Sequence, residues 1–501
     1  MAEVSRTARV IQNAKVALFF YCINLILQFF SRKIFLDYLG AELLGLNTTA
    51  QNLLQFLNLA ESGIGAAVAF ALYKPLSQKN RQEIIDIVSL QGWFYRWVGV
   101  FIIAGSIVLM AFFPWIFAKA DVPLIYAYGT FIAFLISALL GYFVNYKMIV
   151  LSADQKEYKI TIETQSIKVI KVFIQMLAIW KLPHGYVWWM VLEALAGVLT
   201  SLRLNFCIRR EYPWLASDLS RGKELRVQYS FVLTKTKQLF FHKIGGFVLG
   251  QTTPLIVYAF TTLSMVAIYG NYVLILGGCL LLVDALSRGL NAGVGNLVVN
   301  GDLKTIKDVF WQLQTIRLFF AGFICSGFFF LSESFVKLWV GDEYVMSLFP
   351  MSVLLAVYFI QMSRTCDIFL SAYGLFQDIW APVLESISSI VFSVLFGYFW
   401  GISGIFLGIL LSQLAIVNSW KPYFLYKCAF HENISGYVVL YTKKLSMVLL
   451  LCCSSSIIDI QIRGWIGWLQ QALLLTLLYF SGKQEEYLLN CMKIRLNGGY
   501  R

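Results

Sequence analysis

Apolar stretches long enough to cross a bilayer recur along the whole chain, about fourteen of them at roughly 20 residues each, separated by short polar joints. In hydrocarbon every backbone N–H and C=O must be satisfied within the spanning structure, so repeated spans of this length fold as helices. The expected fold class is therefore an all-α polytopic membrane protein of about 14 transmembrane helices. Little of the 501 residues remains for a soluble domain. A composition of 59% hydrophobic and 13% charged residues excludes an ordinary soluble globule.

The formal net charge of +13 is one that nucleic-acid binders share, but the placement of the charges assigns it elsewhere. Taken alternately, the joints on one side hold Arg6, Arg9, Lys15, Lys74, Lys79, Arg81, Lys147, Lys156, Arg209, Arg210, Lys223, Lys443 and Lys493; the other side holds only Arg32, Lys33, Lys119, Lys181, Lys337 and Arg463. That asymmetry places both termini in the cytoplasm, requires an even number of spans and leaves no case for a nucleic-acid partner. Arg32 and Lys33 read as solvated surface charges. The nine cysteines are dispersed, mostly in apolar stretches, with no CxxC, and His184, His242 and His431 stand apart. Neither a disulfide framework nor a metal site is indicated. Walker A, GxSxG and HExxH patterns are absent, so no cofactor and no catalytic residue is expected. The first apolar run lacks a small-residue cleavage site and is expected to stay as span one.

Between Tyr38 and Asn80 lies a helix of membrane length that is not apolar all round. Thr48, Gln51, Asn52, Gln55, Asn58 and Ser62 recur at spacings of three and four, while Leu53, Leu57, Ile64, Val68 and Leu72 take the other side. Polar groups at bilayer depth cost free energy unless they pair or face water, so this second span is expected to line a lumen. Glu61, beside that row, is either a carboxylate that couples to a proton or sodium ion or the cap of a helix break before Gly63.

The long basic connection at residues 209–237 divides the chain. Before it, residues 1–208 hold spans one to six; after it, residues 238–430 hold spans seven to twelve, and residues 431–501 hold two further spans and a tail. Span seven carries Lys243 with Gly245, Gly246, Gly250 and Pro254. Span eight has Asp284, Ser287, Arg288, Asn291 and Gly295 on one row. Interrupted polar helices in corresponding places of two halves are the sign of a repeat-built transporter, here two pseudo-symmetric six-helix lobes around a central lumen plus two C-terminal helices. Those last two helices read as a lipid-facing brace or a groove for an acyl chain.

Arg288, Lys243, Arg364, Lys168 and Lys171 all fall inside spans, and unpaired cations at that depth point to a substrate carrying phosphate. Asp284 and Arg288 are one turn apart and are either a self-neutralising pair or an arginine held ready for an anion. Asn47, Gln51, Gln55 and Asn58 offer hydrogen bonds to sugar hydroxyls; Asp284 and Asp367 join Glu61 as candidates for ion coupling.

The runs Ser31-Arg32-Lys33-Ile34-Phe35, Leu44-Gly45-Leu46-Asn47, Leu59-Ala60-Glu61-Ser62-Gly63-Ile64-Gly65, Leu72-Tyr73-Lys74-Pro75-Leu76, Ile268-Tyr269-Gly270-Asn271-Tyr272 and Gly401-Ile402-Ser403-Gly404-Ile405-Phe406-Leu407-Gly408 stand in an order that resembles the Wzx-type polysaccharide flippases. These belong to the multidrug/oligosaccharidyl-lipid/polysaccharide exporter superfamily, and the resemblance covers about residues 15 to 430. It implies two lobes around a cationic lumen in the bacterial inner membrane. It also implies alternating access driven by an ion gradient, H+ or Na+, to move undecaprenyl-pyrophosphate-linked oligosaccharide across the membrane, in company with polysaccharide polymerase machinery. Family members often carry Thr-Asp-Asn after the glycine of span seven, where this chain has Gln251-Thr252-Thr253-Pro254. A multidrug antiporter of the same superfamily is the rival within transport, though cationic drugs call for an acidic lumen. A membrane polysaccharide polymerase or glycosyltransferase is the rival of another class, and it calls for a large extramembrane loop that the short outward joints do not provide.

Overall fold

Among the described residues every regular element is a helix, as a backbone removed from water requires. The computed structural model describes residues 6–61, 63–375, 378, 380–454 and 464–480, without the side chains of 6–8, 10, 60, 238–239, 241–249, 285–293, 296, 299–300, 450–454 and 478. By packing, the chain divides into two compact units: Met1–Tyr258 with Thr262–Ala267, and Ala259–Thr261 with Ile268–Arg501.

The helices in chain order are α1 (Arg6–Asn58), α2 (Ile64–Gln78), α3 (Arg81–Ala111), α4 (Phe113–Ile116), α5 (Leu124–Phe143), α6 (Ile149–Ala153), α7 (Glu157–Lys181), α8 (Gly185–Glu211), α9 (Gly222–Gln228) and α10 (Ser230–Phe260). They continue with α11 (Leu263–Asn300), α12 (Leu303–Trp339), α13 (Leu348–Met362), α14 (Cys366–Ala372), α15 (Trp380–Gln413), α16 (Lys421–Leu425), α17 (Ser435–Ser454) and α18 (Gly464–Phe480). Two π-helical runs, Leu414–Trp420 and Tyr426–Phe430, flank α16.

Among the described residues eight helices are long and apolar enough to cross a membrane, which makes this a multi-pass membrane protein. Part of the difference from the fourteen expected from sequence has physical causes. Helix α1 is a run of 53 residues, about 80 Å or more than twice the bilayer core. It holds both the first expected span and much of the second, and the direction changes at Gly40 (φ 80°, ψ 172°), a conformation that glycine adopts freely. Trp380–Phe430 likewise joins two expected spans at Trp400 and Gly401 (φ 55°). Helix α7 is 25 residues long but carries Glu157, Lys159, Glu163, Lys168, Lys171 and Lys181, too many charges for an apolar span.

In the first unit α7 packs on α8 and α1, and α5 on α8. Leu195, Leu199, Leu202 and Phe206 lie exposed along α8 at spacings of four, three and four, the stripe a helix presents to lipid. In the second unit α12 packs on α13, α17 and α18, around a core that includes Phe310, Phe369, Tyr426 and Phe430. The two halves of α15 fold back on each other so closely that a Cβ on Gly404 would stand 2.0 Å from the Phe396 carbonyl oxygen, and one on Gly408 2.3 Å from the Ser393 nitrogen. Two glycines four apart on one face allow that approach.

Candidate functional site

The polar row expected on the second span divides between two environments in the first unit. Asn47 is buried, and its amide oxygen accepts a hydrogen bond from the Tyr186 hydroxyl at 2.7 Å, itself 2.5 Å from Thr130 Oγ1. Asn52, also buried, donates to the Thr48 carbonyl at 2.7 Å. Gln51 is exposed, and Gln55 and Asn58 are half-buried. Asn47 and Asn52 thus serve the unit's own core, which sequence periodicity could not separate from a wet face, since both kinds of residue fall on one side of a helix.

Glu61 sits in a short 3₁₀ turn, Leu59–Glu61, before Gly63 (φ 97°) starts α2. Its carboxylate accepts from the Tyr95 hydroxyl of α3 at 2.5 Å and the Tyr142 hydroxyl of α5 at 2.8 Å; the latter is also 3.2 Å from Asn58 Oδ1. Arg32 is not a solvated surface charge: half-buried, it donates to the Ala267 carbonyl at 3.0 Å, while Glu42 accepts from Ser264 at 2.7 Å. Lys33 pairs with Asp37 at 3.0 Å.

A ladder of charge pairs joins α7 to α8. Lys171 meets Glu193 at 2.7 Å, with Gln175 also donating to Glu193 at 3.1 Å. Arg203 meets Glu163 at 2.9 Å, and Lys159 and Lys156 meet Glu211. Lys168, exposed and one turn from Lys171, makes no ion pair among the described residues. Below the ladder, Asp154 receives Arg9 at 3.0 Å, Lys156 at 2.7 Å and the Tyr212 hydroxyl at 2.7 Å. Burial and the adjoining Asp154 carboxylate hold that hydroxyl far above the usual tyrosine range, so it remains a donor. Glu163, Glu193 and Arg203 were not singled out from sequence. The available signal was register: Lys171 and Glu193 lie 22 residues apart, symmetric about the α7–α8 turn at Leu182.

In the second unit Arg364, in the break between α13 and α14, pairs with the buried Glu385 of α15. Lys421, set between the two π-helical runs, lies 3.1 Å from Asp378 and 3.5 Å from Asp367. Arg317 of α12 donates to the Met362 carbonyl at 2.8 Å and stands 3.5 Å from Asp284. Lys171 and Arg364, expected as unpaired cations, each carry a carboxylate; the partners sit on the neighbouring helix, where a burial penalty of several kcal/mol per bare charge selects for them. The side chains of Lys243 and Arg288 lie outside the described residues. No metal-ligating cluster occurs among those described.

Beside this cluster lies an apolar cavity of about 610 Å³ between α12, α13, the first π-helical run and α17, with Phe329, Leu355, Phe359 and Leu445 in its wall. Asn418 and Tyr441 line both the cavity and the pocket that holds Arg364, Asp367 and Lys421. An apolar chamber therefore runs up to a cluster of charged side chains, a pairing suited to a molecule with a hydrocarbon tail and a polar head.

No family model matches the chain, and no curated protein matches it. Solved structures do. The lipid II flippase MurJ in an inward closed conformation superposes with a TM-score of 0.66 at 16% identity, over 95% of this chain and 99% of that one. An inward-facing multidrug resistance MATE family transporter of the MOP superfamily gives 0.61 at 12% identity, over 82% of this chain and 97% of that one. At such identities the likeness is one of fold. The chain has the fold that these flippase and multidrug-transporter structures share.

Proposed function

We propose that this protein is a flippase that moves undecaprenyl-pyrophosphate-linked oligosaccharide across the bacterial inner membrane for surface polysaccharide assembly (O-antigen, capsule or exopolysaccharide). It works by alternating access, with both termini in the cytoplasm and residues 1–208 and 238–430 as its moving halves. The observation that carries this reading is the apolar cavity meeting the Arg364, Asp367 and Lys421 pocket at Asn418 and Tyr441, because a lipid-linked phosphate needs both environments side by side. The fold shared with a lipid II flippase supports a lipid-linked substrate. In this reading Arg288, Lys243, Arg364, Lys168 and Lys171 receive pyrophosphate and acidic sugars, and Gln51, Gln55 and Asn58 meet hydroxyl groups. The cavity beside α17 takes the polyprenyl tail, and Glu61, Asp284 or Asp367 couples H+ or Na+. Polysaccharide polymerase machinery receives the product.

Deleting the gene should cause one lipid-linked oligosaccharide to accumulate on the cytoplasmic face, identified by mass spectrometry, and Arg288→Ala should fail to clear it. Unchanged lipid-linked pools in the deletion strain would sink the proposal. A multidrug antiporter is a second reading, favoured by the MATE-like fold and by four carboxylates (Asp284, Asp367, Asp378, Glu385) against three cations (Arg317, Arg364, Lys421) in the described cluster. Efflux of cationic dyes from proteoliposomes, without movement of polyprenyl pyrophosphate, would select it.

A further inference from the structure

Arg364 and Glu385 are an unequal pair. The arginine side chain is 29% exposed and the glutamate 6%, so the cation reaches toward the pocket while its counter-ion stays covered behind it. The pairing is also incomplete. Glu385 engages one terminal nitrogen, Nη2, while Arg364 Nε is buried without a hydrogen-bond acceptor among the described residues. A guanidinium satisfied by an anion usually presents two parallel N–H donors to it. Here one donor of the fork is committed and the buried one is not engaged by the carboxylate. A covered carboxylate that holds only part of an accessible guanidinium can be exchanged for a better anion, at the cost of leaving Glu385 to the field of the neighbouring Lys421.

We propose that Glu385 is a positioning residue, a built-in counter-ion that competes for Arg364 and keeps it occupied until a group with more than one negative charge displaces it. This rests on the flippase reading given above. A neutral lipid cannot displace the carboxylate, and a single-charge anion replaces like with like and gains nothing. Pyrophosphate brings the extra charge that the single carboxylate lacks. The same exchange run backwards drives release, because Glu385 returns to Arg364 as the head group leaves. Glu385 therefore tempers affinity for the head group and drives its release, without itself touching the substrate.

The test compares undecaprenyl pyrophosphate with undecaprenol, of equal chain length, binding to the full-length protein in nanodiscs, alongside transbilayer movement of the pyrophosphate lipid in proteoliposomes. Glu385→Gln keeps the size and a hydrogen-bonding oxygen and removes the charge. It should raise the preference for the pyrophosphate lipid at least about fivefold, as expected when a charged competitor is removed from a close ion pair, while slowing its movement across the bilayer. Glu385→Asp retains the charge and should restore the wild-type preference. An unchanged preference in Glu385→Gln, with the wild type still selecting pyrophosphate, overturns the inference and leaves the flippase reading standing. Equal weakening of both lipids with a lowered melting temperature assigns Glu385 a structural role and also overturns it. A wild type that does not prefer the pyrophosphate lipid overturns the flippase reading and this inference together.

Discussion

The two units satisfy polar groups at membrane depth in opposite ways. In the first, the carboxylate of Glu61 is held by the neutral hydroxyls of Tyr95 and Tyr142, and Asn47 by Tyr186. Its ion pairs include the ladder between neighbouring helices, α7 and α8, one rung of which is largely exposed at Arg203 (58%). In the second, the carboxylates meet full cations, and the most buried of them, Glu385 and Asp378, are 5% and 6% exposed. A neutral partner loses little when broken. A buried ion pair leaves behind an uncompensated charge, so the second unit should be far less tolerant of single charge removals.

Replacing Arg364 by alanine is the strongest way to break that contrast. It strands Glu385 in the interior, and the expected loss is about 3–5 kcal/mol of stability, read as a large fall in thermal midpoint. The double substitution Arg364→Met with Glu385→Met should recover most of it, since a buried pair exchanged for apolar groups is often neutral. A single variant as stable as wild type would mean that Glu385 is already protonated and the contrast false. In the first unit, Tyr142→Phe removes one of the two donors to Glu61. It should cost about 1–3 kcal/mol, because the carboxylate keeps Tyr95. A loss equal to that of Arg364→Ala would erase the difference between the units.

What sequence could and could not give follows the same line. Helical class and membrane residence were legible because apolar length is a local property, and the break before Gly63, one of the two readings of Glu61, was legible because glycine marks left-handed backbone. The cations were found for the same reason: a lysine inside an apolar run is visible without its surroundings. Their partners were not. Glu385 lies 21 residues from Arg364, and Asp284 33 from Arg317, across turns whose geometry no local pattern fixes. Arg317 itself was passed over because it follows a polar stretch, Gln312 to Thr315, and reads as a span edge. Only the α7–α8 ladder had a usable signal, since a helical hairpin pairs residues equidistant from its turn. The apolar cavity had none, because its wall is assembled from four separated segments.

The smallest expected effect settles what lies against the α7–α8 ladder. Arg203 and Glu163 are 2.9 Å apart, with the arginine 58% and the glutamate 20% exposed. If water reaches this face, the pair is screened and Arg203→Ala should cost less than about 1 kcal/mol in lipid nanodiscs. The cost should also shrink further as salt is raised, since exposed charges are screened over roughly 8–10 Å at physiological ionic strength. If hydrocarbon lies there instead, the same substitution leaves Glu163 bare in lipid, where an unpaired acid costs about 2.5–3.5 kcal/mol and salt has no access. We expect the small, salt-sensitive value, because Lys168 is exposed on the same helix without an ion pair among the described residues, and a lone lysine persists at that depth only beside water. A large, salt-independent loss would turn this face to the bilayer and remove Lys168 and Lys171 from any substrate path.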